Sequence, residues 1–145
     1  MSVWFKRPIP QILYHGSLYK NYKSIMKHGL RPGSSERANF ADFADDVRGM
    51  VSLSDTELAA RRFAVFSLTN LHHKLKKGED DFVVFFIDSY RLRQDGTPIV
   101  PLRGKLSSDY GGHEYRAVGP VPPDAIVAVF RYHHVEGEFK RERVF

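Results

Sequence analysis

Not one of the chain's 145 residues is a cysteine. Disulfides, thiol nucleophiles and thiolate zinc sites are therefore excluded, and no metal site is expected. Long hydrophobic runs are missing too: no stretch nears the roughly 18 apolar residues of a membrane span. The opening segment MSVWFKRPIP has neither the apolar core nor the small-residue cleavage pattern of a secretory signal. No repeat and no low-complexity linker divides the chain. These absences predict one domain over 1–145, without a membrane partner, in the cytoplasm or delivered into a target cytoplasm by other means.

What is present is 42% hydrophobic and 13% aromatic residues, enough to bury a core. The net charge of +5 and pI near 9.5 favour anionic partners such as nucleic acids or dinucleotides. The basic residues are scattered over Arg61-Arg62, Lys74 to Lys77, Arg91 and Arg93, and Lys140 to Arg143, so composition alone equally fits a basic but indifferent surface.

Along the chain, Gln11 to Tyr14 reads as a short buried strand. Leu18 to His28 carries Leu18, Tyr22, Ile25 and Met26 at helical spacing, with Gly29 as its end and Pro32 beyond. Arg31 to Arg48 is polar and weakly periodic, a long loop with one helical turn near Phe40 to Ala44. Met50 to Leu53 reads as a strand. Asp55 then caps a helix over Thr56 to Phe66, and a second helical piece runs from Leu68 to Lys77. Asp81 to Ile87 is almost wholly apolar and suits a central strand. A turn at Gln94 to Thr97 precedes strands at Ile99–Leu102 and Glu114–Val118. Gly119 to Pro123 breaks the pattern, and strands follow at Ala125–His133 and Phe139–Phe145. Helices gather in the N-terminal half and strands later, which predicts an α+β domain with a mostly antiparallel sheet.

Three segments stand at strand ends or strand-to-helix junctions, where side chains meet a cleft. They are Tyr14-His15-Gly16-Ser17, Val51-Ser52-Leu53-Ser54-Asp55 with the helix that follows, and His113-Glu114-Tyr115. Each alone has a plain structural reading: a turn histidine, a helix start, a solvated strand-heading glutamate. In this order and spacing, the chain resembles the ADP-ribosyltransferase superfamily, which includes poly(ADP-ribose) polymerases, diphtheria-type toxins, DarT-type nucleic-acid modifiers and RNA 2'-phosphotransferases. "LYHGSLYKNYKSIMKHGLRPG" is similar to the first motif, a strand ending in His-Gly-Ser and then a helix ending in Gly-Leu. "VSLSDTELAARRFA" is similar to the second, an Asp and then a helix with an aromatic eight residues on, here Phe63. "HEYRAVGPVPPDAIVAVF" is similar to the third, a catalytic Glu opening a strand.

The resemblance implies a split antiparallel sheet and cleavage of NAD, as co-substrate, between nicotinamide and ribose. It implies that Gly16 holds the nicotinamide amide through its backbone, that His15 bonds the adenosine ribose, and that Ser17 supports that corner. Phe63 and Tyr22 would stack on nicotinamide, Ser52 and Ser54 would line the NAD site, and Glu114 would be catalytic. A carboxylate suits this chemistry, since it stabilises an oxocarbenium-like transition state. The sequence departs from the pattern in places. Ser52 stands where a His-Tyr-Glu triad has its stacking Tyr, leaving Phe63 alone or joined by Tyr110 or Phe40. Gly112 stands two residues before the Glu, where arginine-directed and some base-directed members carry Glu or Gln. The expected function is mono-ADP-ribosyl transfer to a macromolecule, nucleic acid before protein, by a toxin or conflict effector with an antitoxin or immunity partner. Two alternatives are an RNA 2'-phosphotransferase-like enzyme, which lacks its basic quartet here, and a silent nucleic-acid-binding module on the same fold.

Overall fold

The computed structural model describes residues 8–32, 49–71, 81–102 and 111–145. The expected loop turn at Phe40–Ala44, most of the Leu68–Lys77 piece, and Tyr110 lie outside them. Within them, seven strands form one sheet in the order β4-β5-β2-β1-β3-β6-β7, and every pairing is antiparallel. The strands are β1 (Ile12–Leu18), β2 (Val51–Ser54), β3 (Phe82–Asp88), β4 (Ile99–Pro101), β5 (Glu114–Ala117), β6 (Ile126–Val135) and β7 (Glu138–Arg143). The helices are α1 (Tyr22–His28), α2 (Glu57–Leu71) and α3 (Ser89–Gln94).

The apolar strand reading holds because β3 is central and covered on both faces. Val83, Phe85 and Ile87 enter one core with Leu13, Leu53 and Tyr115, and α1 leans on it through Tyr22, Ile25 and Met26. Phe82 and Val84 face the other way, under Ala60 and Ala64 of α2. Alternation along a strand produces this division, and it assigns every site residue to one face or the other.

Several boundaries differ from expectation. β1 runs on through His15-Gly16-Ser17 to Leu18, so the His-Gly-Ser segment is strand rather than turn. The chain then takes a short 3₁₀ turn, Tyr19–Asn21, before α1. The cap of α2 is Thr56 rather than Asp55: the Ala59 N–H donates to the Thr56 hydroxyl at 3.1 Å, while Asp55 is engaged elsewhere. The helix α3 falls where no helix is expected. Asp88 caps it, accepting from the N–H groups of Tyr90 and Arg91 at 3.0 and 3.3 Å, a local signal in Asp-Ser that six residues of weak periodicity conceal.

Candidate active site

The site lies where the sheet parts. β1 pairs with β3 along its whole length, from Ile12↔Asp88 to Leu18↔Phe82. Its pairing with β2 is recorded at one position, Tyr14↔Ser54. Beyond Tyr14 the two strands diverge, and a side chain takes over from the backbone ladder. The ring nitrogen Nδ1 of His15 lies 2.7 Å from the carbonyl oxygen of Ser52 and donates to it as the Nδ1–H tautomer. Burial of the imidazole pushes its pKa below the usual histidine value, and the bond to Ser52 offsets part of that shift. His15 is therefore held neutral.

Ser52 also faces the other way. Its hydroxyl donates to Oε2 of Glu114 at 2.6 Å. β2 pairs with β5 as Ser52↔Arg116 and Ser54↔Glu114, so all four side chains lie on the face that α2 covers. The same Oε2 accepts from Nε of Arg116 at 3.2 Å. Arg116 is 4% exposed, and the Glu114 side chain is 14% exposed. A carboxylate so placed is fixed in direction by a hydroxyl and a buried cation.

The segment before Glu114 is clasped to the start of α2. Asp55 accepts from the His113 N–H at 2.6 Å, its other oxygen lies 3.1 Å from the His113 ring, and its own N–H donates to the His113 carbonyl at 3.0 Å. The Thr56 hydroxyl donates to the Gly111 carbonyl at 3.0 Å. A Cβ on Gly112 would stand 2.6 Å from the Thr56 hydroxyl oxygen and 2.7 Å from Oδ1 of Asp55, so this clasp has no room for a side chain there.

The structure thus links His15 and Glu114 through one serine: His15, on the Phe85 face, bonds the Ser52 carbonyl, while Glu114, on the α2 face with Ser54 beside it, accepts from the Ser52 hydroxyl. The Ser54 hydroxyl is buried and shared between the carbonyls of Thr56 at 3.2 Å and Tyr14 at 3.5 Å. Gly16 lies opposite α2, and a Cβ there would fall 2.1 Å from the Ala60 carbonyl oxygen. Helix packing alone therefore requires this glycine. The Ser17 hydroxyl accepts from Asn21 at 3.3 Å and so braces the turn into α1. Tyr22 is committed to the core. Its ring stacks on Tyr19 and Phe85, and its hydroxyl donates to the Val144 carbonyl at 3.1 Å. It still adjoins the site, because Phe85 is the cross-strand partner of His15. Phe63 is half-buried on α2, one turn beyond Ala59 and Ala60. Arg116 and the Asp55 clasp were not expected from sequence as parts of the site. The Ser52–Arg116 and Asp55–His113 pairings depend on a register that only the folded sheet defines.

The seven-stranded antiparallel sheet with its helices has an ADP-ribosyltransferase-like fold. Among solved structures, the chain matches EcPltA, a pertussis-like toxin A subunit of that fold. The TM-score is 0.52 at 11% identity, over 94% of this chain and 85% of that one. No protein-family profile matches the sequence, and no curated protein does. Among the described residues no helix is long and apolar enough to cross a membrane.

Proposed function

We propose that the protein is a mono-ADP-ribosyltransferase that cleaves NAD between nicotinamide and ribose and passes ADP-ribose to a macromolecular acceptor. The observation that carries this reading is the double engagement of Ser52: its carbonyl holds His15 of the first motif and its hydroxyl holds Glu114 of the third. Two segments 99 positions apart in sequence (15 and 114) meet at one residue on the seam of the sheet.

The donor set fits NAD. Ser54 donates to the Tyr14 carbonyl across the seam, so strand alternation directs the N–H and C=O of Gly16 to the same side. Those two groups match the acceptor and donor of the nicotinamide amide. His15, held neutral and oriented by Ser52, is suited to a ribose hydroxyl. Phe63 supplies an aromatic face for nicotinamide, and Tyr22 supports the His15 side through Phe85. Bound NAD supplies the ADP-ribosyl group and a leaving group that departs neutral from a cationic ring. Glu114 accepts a hydrogen bond from a hydroxyl of the nicotinamide ribose, and its charge favours the ring as positive charge moves onto the sugar. Ser52 and Arg116 keep that carboxylate aimed, so little reorganisation accompanies bond cleavage.

A small transferase of this kind suits a toxin or conflict effector acting in a cytoplasm, restrained by an antitoxin or immunity partner. Incubation with NAD labelled in the adenosine half, alongside separate pools of DNA, RNA and protein, tests the reading. Label should enter one pool with release of nicotinamide. Nicotinamide retained in every pool would refute the transfer.

A further inference from the structure

We infer that Arg131, on the far side of β3 from the seam, is a positioning residue for the NAD site: it braces the turn that follows His-Gly-Ser and so sets NAD affinity rather than the rate of bond cleavage. The inference rests on the transferase reading for the identity of the ligand and on contacts outside the seam for its geometry.

Ser17, Val83 and Arg131 are successive register partners on β1, β3 and β6, so their side chains share one face. The same face carries His15 and Phe85, two residues along their strands. Arg131 therefore stands where β1 gives way to the 3₁₀ turn Tyr19–Asn21.

Two contacts tie Arg131 to that turn. Its guanidinium lies 3.7 Å from the centre of the Tyr19 ring, over its face. Its Nε and Nη2 donate to Oδ2 of Asp81 at 2.9 and 2.6 Å, and the Asp81 carbonyl accepts the Tyr19 N–H at 2.9 Å. One arginine thus holds the ring of Tyr19 directly and its backbone through one aspartate. Nδ1 of His133 lies 3.2 Å from the same Oδ2, and its Nε2 meets Glu142, so Asp81 is anchored from β6 twice.

From Tyr19 the hold passes in two directions. The Tyr19 ring stacks on Tyr22, and Tyr22 stacks on Phe85, the cross-strand partner of His15. At the other end of the turn, Asn21 donates to the Ser17 hydroxyl at 3.3 Å. Neither the turn nor α1 starts with a side-chain cap, and neither contains a fully buried residue. A segment so lightly anchored keeps its place through outside contacts. Without the brace, NAD itself would have to order the turn, and that ordering lowers affinity.

Titration calorimetry with NAD, nicotinamide-release kinetics and hydrogen exchange of the Tyr19 amide, measured on wild type and Arg131→Met, test this. Exchange at Tyr19 without ligand should quicken in the variant. Kd and KM for NAD should rise about tenfold, with kcat within about twofold of wild type. Arg131→Lys keeps a cation beside Asp81 and lacks the planar group over Tyr19, so it should recover part of the affinity. Asn21→Ala added to Arg131→Met should weaken binding by less than the two separate losses combined. Arg91→Ala opens an exposed pair with Asp124 elsewhere on the fold and should change neither exchange nor Kd. If Arg131→Met does not fold, Arg131→Met with Asp81→Asn removes the uncompensated carboxylate and takes its place. Wild-type affinity in the folded variant, or a kcat that falls as far as affinity, would overturn the positioning role. Wild-type exchange at Tyr19 would overturn the brace itself. Quickened exchange and weakened NAD binding, in a protein whose wild type releases no nicotinamide, would refute the transferase and leave the brace standing. Release by the wild type with an unchanged Kd in Arg131→Met would refute the positioning role alone.

Discussion

The two sides of β1 are built differently. Toward β3 it is paired from Ile12 to Leu18, and toward β2 it is paired at Tyr14↔Ser54. On the paired side, Val83, Val84 and Phe85 are fully buried, and the strand is apolar on both faces. On the parted side, the residues are serines, a histidine, a glutamate and a buried arginine, joined by side-chain bonds. Backbone pairing makes a rigid wall, and a seam held by side chains leaves polar groups directed at whatever enters it. The stable half of the sheet positions β1, and the parted half uses it.

Disrupting the wall side should have the largest effect. Gly16→Val would force a side chain into the Ala60 carbonyl, a backbone atom that cannot turn aside. We expect no cooperative thermal unfolding transition from this variant, because overpacking against backbone costs about 3 kcal/mol or more. A Gly16→Val protein as stable as wild type would mean that α2 is not seated on β1.

On the seam side, Arg116→Met removes the cation and leaves the Glu114 carboxylate half-buried with less compensation. Stability in urea should fall by about 3 kcal/mol. Arg116→Lys should recover part of it, and the double variant Arg116→Met with Glu114→Gln should recover more. If Arg116→Met costs as much in the Glu114→Gln background as in wild type, the pair is not coupled.

Breaking the clasp should cost less. Asp55→Ala leaves the His113 N–H and the turn at Gly111-Gly112 with fewer anchors, a loss of about 2 kcal/mol. Turnover should fall more than NAD affinity, because Glu114 loses its fixed approach while His15 and Gly16 keep theirs. An equal loss of both would assign Asp55 to general stability.

The smallest effect is a pH dependence. Burial lowers the pKa of His15 in the folded protein, so the unfolded chain takes up that proton first as pH falls. The stabilisation from the neutral ring is complete above the unfolded value of about 6.5 and is lost as pH drops below it toward the folded pKa. Urea unfolding of wild type and His15→Gln from pH 8 to 5 should show a steeper decline for wild type. Parallel curves would mean that His15 titrates alike in both states.

Much of the wall was legible in the sequence. The run Phe82 to Ile87 declares a central strand by composition, and Gly29 marks the end of α1. His15 and Glu114 were legible as site candidates because each stands in a segment that, in order and spacing, carries a family resemblance. The seam was not. Serines at 52 and 54 look like a helix start until register sets Ser52 across from Arg116 and Ser54 across from Glu114. Asp55 satisfies the pattern of a helix cap, yet its carboxylate accepts from the His113 N–H in the turn before Glu114, while Thr56 caps the helix. Arg116 carries no local signal at all, since an arginine two residues past a glutamate is ordinary until both are buried on one face.

The most direct test of the account is the rate of nicotinamide release from NAD by the wild type beside Glu114→Gln, with circular dichroism confirming that both are folded. The substitution keeps the shape and removes the charge that favours the transition state over bound NAD. The account predicts NAD affinity within about twofold of wild type and a rate lower by about two orders of magnitude or more. A folded Glu114→Gln protein that releases nicotinamide at the wild-type rate would contradict it.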